Sequence, residues 1–248
     1  MIRHLMIIAY FASRKPLRKG DVLAVMLEKL EVDKRTAPQR WGFFERERNA
    51  YDHDAVLAAV RKLRGDESSL FLKRTGKIKY ELHLTLRNRP LNHLIASFPA
   101  DDGRSSEDFA RILSMVDDIA AVLEPEFGVV QPIIPDNRYY DHNKMAGYAF
   151  FDLQQYGPFG LAARTWLGPH MVKLFGDVDW SRVAASVQQN PWGGFRIDLV
   201  DDLESRNIDR LAEAGQAARD LLAPTGVLAT YKGPFHKRGE NWREIPEP

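Results

Sequence analysis

An apolar stretch with an internal break lies at residues 161–176 and has the sequence LAARTWLGPHMVKLFG. Neither a strand nor a helix runs smoothly through Gly168-Pro169, because glycine is flexible and proline fixes φ and lacks an N–H. The pattern therefore predicts an extended segment that ends at Leu167 and a short helix that begins at Pro169. Glycine at position 176 is expected to end that helix. The stretch is best explained as a packed corner of the fold.

Hydrophobic periodicity on both sides of this corner predicts an α+β fold, with antiparallel strands and packed helices. Apolar and polar residues alternate over Ile78–Arg87, which indicates a half-buried strand between shorter strands at Ser69–Lys73 and Leu91–Phe98. The short connections favour an antiparallel meander. Four further helices are predicted, each with two possible capping residues: Gly20 or Asp21, Asp52 or Asp54, Ser105 or Ser106, and Asn207 or Asp209.

The polar segment Pro99–Ser105 is the best candidate boundary between two loosely similar α+β halves. We expect an N-terminal half over residues 1–100 and a C-terminal half over residues 101–230, which together form one continuous globular unit. Residues 231–248 are basic and rich in proline, and their composition predicts an irregular tail.

The composition bounds the possible functions. The 248 residues include 35 basic and 34 acidic residues, and a net charge of +1 makes a dedicated nucleic-acid binder unexpected. The absence of cysteine excludes disulfides and thiolate metal sites, and it favours a cytoplasmic protein. The apolar start, Met1–Phe11, is explained better as a first strand than as a signal peptide, and no segment is apolar enough to predict a membrane span.

The sequence contains no phosphate loop, no dinucleotide-binding glycine motif, no Gly-x-Ser-x-Gly and no His-Glu-x-x-His. We therefore expect no enzyme, no cofactor and no metal ion. Two clusters keep a metal-dependent or acid–base enzyme open as an alternative. The loop with Asp141 and His142 combines a carboxylate with an imidazole, and the acidic run Asp198–Glu204 has the oxygen ligands that Mg²⁺ prefers. His170 is a weaker catalytic candidate at the start of the short helix.

Aromatic and basic residues on predicted loops suit a protein interface, where a few such side chains dominate binding. The candidate partner-binding residues are Arg138, Tyr139, Tyr140, His142, Trp192 and Phe195. A third alternative is a phage-defence or nucleic-acid-associated module. It would use the basic tail together with Arg14, Lys15, Arg18 and Lys19.

Three segments carry a resemblance to a known group of proteins. They are Arg40-Trp41-Gly42, the run Glu124–Val130 and the run Trp166–Gly176, which is followed by a strand, Gly193-Gly194 and a last helix. In this order they resemble the immunity-protein families of bacterial polymorphic-toxin and type VI secretion systems, which include families filed as domains of unknown function. The resemblance covers roughly residues 10–222.

The resemblance implies an α+β protein of the bacterial cytoplasm that binds a cognate toxin and blocks it. These families share no catalytic residues, and their toxin-contacting surfaces vary. The resemblance therefore assigns no site residue to this sequence, and it leaves the identity of the toxin and the oligomeric state open.

Overall fold

The computed structural model describes residues 5–18, 21–43, 48–87, 91–100, 105–133, 153–203, 208–232 and 235–246. Within these ranges, helices α1 to α6 span Val22–Glu31, His53–Arg61, Ser106–Leu123, Leu153–Tyr156, Pro169–Phe175 and Ile208–Leu222. Strands β1 to β12 span Leu5–Ser13, Arg40–Phe43, Asn49–Ala50, Glu67–Arg74, Tyr80–Arg87, Asn92–Ala100, Phe127–Ile133, Arg164–Leu167, Ser186–Gln189, Phe195–Asp198, Thr230–Lys232 and Phe235–Lys237. The predicted α+β class is confirmed.

The chain divides into two compact units, Met6–Pro125 and Glu126–Pro246, which we call the N-terminal unit and the C-terminal unit. The N-terminal unit includes α3, which packs against α1. The polar segment Pro99–Ser105 therefore lies within the N-terminal unit and connects its last strand to α3.

The strands of the N-terminal unit follow the order β3-β2-β4-β5-β6-β1. The predicted meander is confirmed, because β5 pairs antiparallel with both β4 and β6. Leu84 lies opposite Leu70 on one side and Leu94 on the other, and Leu72 lies opposite Leu82. These five side chains are at most 1% exposed. Alternation in the sequence thus places one face of the meander in the core.

Two predicted helix starts in the N-terminal unit are confirmed by their caps. The side chain of Asp52 accepts the N–H of Ala55 at 2.8 Å, ahead of α2. The hydroxyl of Ser105 accepts the N–H of Asp108 at 3.2 Å, ahead of α3. Each side chain satisfies a backbone donor that the first turn of a helix leaves without an intrahelical partner.

The strands of the C-terminal unit that include its corner follow the antiparallel order β7-β8-β10-β9. The predicted corner is confirmed: β8 ends at Leu167, Gly168 is extended, and α5 begins at Pro169. Gly176 follows the last helical residue with a φ of 72°. The Gly-Pro pair therefore converts a strand into a helix within a single residue.

The segment after residue 231 differs from the irregular tail that its composition predicted. It contains β12 and the side chain of Trp242, which is 0% exposed and donates its indole N–H to the carbonyl of Gln154 at 3.0 Å. The side-chain amide of Gln154 bonds both backbone groups of Ile245, at 2.9 and 3.1 Å. A single aromatic residue among polar ones has no periodicity, so the sequence pattern missed this contact.

Candidate functional site

The β8–α5 corner is tied to the segment that precedes β7. The N–H of Gly168 donates to the carbonyl of Glu126 at 2.9 Å, and the N–H of His170 donates to the Glu126 carboxylate at 3.1 Å. Glu126 is 6% exposed, so these donors satisfy its buried acceptors. Two of the segments that carry the family resemblance therefore contact each other through Glu126.

The ring of His170 contacts two residues near the end of the C-terminal unit. Its Nε2 lies 3.0 Å from the carbonyl oxygen of Arg243, a contact that requires the proton on Nε2. The ring also packs edge-on against Trp242, with the centroids 6.4 Å apart. These contacts support the packed-corner interpretation of residues 161–176 over a catalytic one.

A tight turn at Asn190–Gly194 joins β9 to β10, as its composition predicted. The N–H of Asn190 donates to the carbonyl of Gly194, and the N–H of Gly193 donates to the carbonyl of Asn190, both at 3.0 Å. Gly194 has a φ of 80°, and a Cβ built on it would lie 2.0 Å from the carbonyl oxygen of Leu167. Only glycine fits this position, so the turn is held directly against the β8–α5 corner.

Two candidate partner-binding residues, Trp192 and Phe195, lie on this hairpin, and both are half-buried. Phe195 begins β10 and lies opposite Gln189 and Leu167. Across the described ranges, the indole nitrogen of Trp192 and the amide nitrogen of Asn190 have no acceptor, although both atoms are buried. A buried donor without an acceptor is energetically costly.

The other candidate partner-binding residues lie outside the described residues: Arg138, Tyr139, Tyr140 and His142, and with them Asp141 of the proposed acid–base loop. Their part in binding or chemistry stays a prediction.

Asp198, the first residue of the acidic run, forms an ion pair with a buried arginine. The guanidinium of Arg164 contacts both carboxylate oxygens of Asp198, at 2.7 and 3.1 Å, from the directly opposite position on β8. Arg196 adds a contact at 3.5 Å, and the Arg164 guanidinium lies 5.9 Å from the centre of the Trp166 ring. A two-point arginine contact uses the oxygens that a cation would need, which favours a structural role for Asp198.

The other described acids of this run, Asp201 and Asp202, are exposed. Asp201 pairs with Arg210 at 3.3 Å, and Glu204 lies outside the described residues. Among the described residues, no three histidine, aspartate or glutamate side chains are grouped so that they could hold a metal ion.

A buried tyrosine–histidine pair in the N-terminal unit has no signature in the sequence. The hydroxyl of Tyr10 lies 2.6 Å from Nδ1 of His93, and the two rings are stacked. Burial first, and then the positive charge of Arg87, lower the pKa of His93 from 6.5 to about 4. His93 is therefore neutral at neutral pH. The sequence placed His93 on the third strand of the meander, but neither its face nor the pairing of that strand with β1 followed from the pattern.

Several basic residues of the proposed nucleic-acid surface have intramolecular partners. Lys15 pairs with Glu124 at 2.7 Å, and Arg18 donates to the carbonyl of Gly65 at 2.5 Å. In the C-terminal segment, Lys237 pairs with Glu240 at 3.4 Å and Arg238 pairs with Glu244 at 3.2 Å. Lys19 lies outside the described residues. Each of the other four basic side chains has an acceptor within the chain, and this arrangement does not favour a phosphate-binding surface.

No protein-family model matches the chain, and no curated protein sequence matches it. Among solved structures, the fold is similar to that of the Pseudomonas aeruginosa T6SS protein PA0821, with a TM-score of 0.55 and 15% sequence identity. The similarity covers 89% of this chain and 84% of that chain. At this identity it establishes a shared fold alone.

A second match is to a structure of the toxic C-terminal tip of CdiA from Pseudomonas aeruginosa in complex with an immune protein. It has a TM-score of 0.32 and 12% identity, and it covers 52% of this chain and 86% of that chain. A TM-score this low does not establish a shared fold. Separately, every helix in the described ranges falls short of the length and hydropathy that a membrane-crossing segment requires.

Proposed function

We propose that this chain is a non-enzymatic immunity protein that binds a cognate bacterial toxin in the cytoplasm and neutralises it. The observation that carries the proposal is the fold shared with a T6SS protein over 89% of this chain. The resemblance of the corner and of the Glu124–Val130 segment to immunity-protein families of the same secretion systems supports the same function.

The contacts of the candidate catalytic groups favour binding over catalysis. The guanidinium of Arg164 donates to the carboxylate of Asp198, and the ring of His170 bonds the backbone carbonyl of Arg243. By contrast, the Asn190–Gly194 turn presents a half-buried tryptophan, and a half-buried phenylalanine follows it at the start of β10. We propose that the toxin binds this hairpin, and that Trp192 and Phe195 are contact residues. Arg138, Tyr139, Tyr140 and His142 are proposed as further contacts from the sequence alone.

The test uses the product of the gene adjacent to the one that encodes this chain. We expect the two proteins to co-elute in size-exclusion chromatography, and we expect co-expression of this chain to restore growth to cells that the neighbouring protein arrests. Trp192→Ala should weaken the complex by roughly 30-fold, which corresponds to the roughly 2 kcal/mol of an aromatic hot spot. Val32→Ala, at an 82% exposed position on the N-terminal unit, is the matched control.

Failure of both co-elution and growth rescue contradicts the proposal. The enzymatic alternative gives a different result. If Asp141→Ala or His142→Ala abolishes protection while the complex still forms, the chain acts by chemistry and not by binding alone.

A further inference from the structure

Among the described residues, the sheet of the C-terminal unit ends in an uncharged edge strand. β9 is the last strand in the order β7-β8-β10-β9, and its sequence is Ser-Val-Gln-Gln. One of these residues is half-buried and three are exposed. Natural sheets usually protect an open edge with lysine, proline or extreme shortness. The outer strand of the N-terminal unit, β3, is only two residues long, whereas β9 has four residues with neither charge nor proline.

A cross-strand row of side chains ends at this edge, where the described residues supply no further strand. Val129, Thr165, Ile197 and Val187 lie opposite one another on β7, β8, β10 and β9. Val129 is 1% exposed, Thr165 and Ile197 are 0% exposed, and Val187 is 39% exposed. Neighbours on the next strand normally complete the burial of such a row. One more strand beyond β9 would therefore cover Val187 as β9 and β10 cover Ile197.

The backbone of β9 also directs hydrogen-bonding groups away from β10. The N–H of Asn190 donates to the carbonyl of Gly194, so this pair is a hydrogen-bonded pair of the β9–β10 ladder. Hydrogen-bonded and non-hydrogen-bonded pairs alternate along an antiparallel ladder. Gln188 therefore bonds β10, while the N–H and C=O groups of Val187 and Gln189 face away from it. These outward groups have the spacing that another strand requires.

We propose that the toxin adds an extended segment to β9 as a further strand of this sheet, an inference that rests on the proposed function above. The segment pairs with the outward backbone groups of Val187 and Gln189, and it places an apolar side chain beside Val187. Trp192 lies on the turn that follows β9, so a strand seated there brings the rest of the toxin beside the candidate hairpin.

A second copy of this chain is a less suitable occupant. A stable protein interface buries roughly 800 Å² on each partner, and the four-residue edge of β9 supplies only a small part of that area. The toxin can supply the remainder through contacts to Trp192 and Phe195. An uncharged edge also places no like charges against an incoming strand, so the segment is recognised by its backbone and its apolar side chain.

The test compares three variants in a binding assay with the adjacent-gene product. Val187→Pro removes an outward N–H without removing a bond to β10, so the C-terminal unit should fold with an unchanged urea midpoint. We expect it to weaken the complex by about tenfold or more, the effect of a lost backbone bond and a distorted edge. Val187→Thr keeps the N–H and the β-branched shape, and Gln188→Lys changes a side chain of the other face. Both should bind within about threefold of the wild type.

Amide hydrogen exchange gives an independent measurement. On complex formation, the amides of Val187 and Gln189 should slow by about tenfold or more, whereas Gln188, already bonded to β10, should change little. Docking through side chains alone would not produce this alternation.

Equal binding by Val187→Pro and the wild type contradicts the added strand while leaving the proposed function intact. Equal losses from Val187→Pro and Val187→Thr, without alternating protection, contradict it in favour of side-chain docking. A free chain that dimerises, and loses dimerisation in Val187→Pro, contradicts it in favour of a second copy. If the wild type binds nothing, the proposed function fails and this inference fails with it.

Discussion

The two units of the chain are stabilised in different ways. In the N-terminal unit, leucines repeat on one face of β4, β5 and β6, so many similar contacts share the burial. The C-terminal unit depends on single contacts that are not repeated, such as Gly194 against Leu167, Gln154 against Ile245 and Arg164 against Asp198. A repeated pattern tolerates replacement, because each residue contributes one share among many. A single contact has no substitute.

The largest expected effect is in the C-terminal unit. Trp242→Ala removes a side chain that is 0% exposed, and it should lower the free energy of unfolding by about 4 kcal/mol. Urea unfolding followed by tryptophan fluorescence measures this loss. Trp192→Ala is the matched control, because Trp192 is half-buried and should cost under about 1.5 kcal/mol. Similar losses from the two variants would show that the C-terminal unit does not depend on the Trp242 contact in particular.

A smaller effect is expected from the buried ion pair. Asp198→Asn leaves the buried guanidinium of Arg164 without its counter-charge, and it should lower the free energy of unfolding by about 3 kcal/mol. Asp201→Asn alters an exposed pair with Arg210 and should cost under about 0.5 kcal/mol in the same urea experiment. If both substitutions cost the same, the Arg164–Asp198 contact does not hold β8 to β10.

The Tyr10–His93 pair is an example of a single, unrepeated contact in the N-terminal unit, and its contribution to stability depends on pH. The pKa of His93 is about 4 in the folded chain and 6.5 when unfolded, and the facing charged groups are Arg87 and Glu67. Between these values the unfolded state binds the proton and the folded state does not. Stability therefore falls as pH drops through this window, by about 2 kcal/mol at pH 5.

Hydrogen exchange of the β5 and β6 amides at pH 7 and pH 5 measures this loss. His93→Gln should show a shallower dependence on pH. An unchanged slope in the variant would mean that other groups titrate in this window.

The smallest effect is expected in the repeated leucine face. Leu84→Met conserves volume among similar neighbours, so it should lower the free energy of unfolding by about 1 kcal/mol. Hydrogen exchange of the β5 amides measures it. A loss as large as that of Trp242→Ala would show that the N-terminal core also requires one specific shape.

The difference between repeated patterns and single contacts also explains which features the sequence could predict. Alternation predicted β5 and its neighbours. Local chemistry predicted helix starts at Asp52 or Asp54 and at Ser105 or Ser106, and it predicted the change from strand to helix at Gly168-Pro169. Each of these depends on residues close together in the chain.

The contacts that sequence patterns missed join distant residues, for example Trp242 to Gln154 and Glu126 to His170. Periodicity has no information about such pairs, so the tail was expected to be irregular. For the candidate site, composition predicted the Asn190–Gly194 turn, but the open edge of β9 follows from the strand order alone.

The contact between Gln154 and Ile245 has a consequence for protein synthesis. A ribosome releases every residue of Met6–Pro125 before it has made most of the other unit, so the N-terminal unit can fold while translation continues. The C-terminal unit needs Trp242 and Ile245 to complete its core, and these residues are synthesised after nearly all of the unit that they complete. Nascent chains paused before residue 242 should therefore contain one protease-resistant unit followed by a segment that chaperones and proteases can still bind.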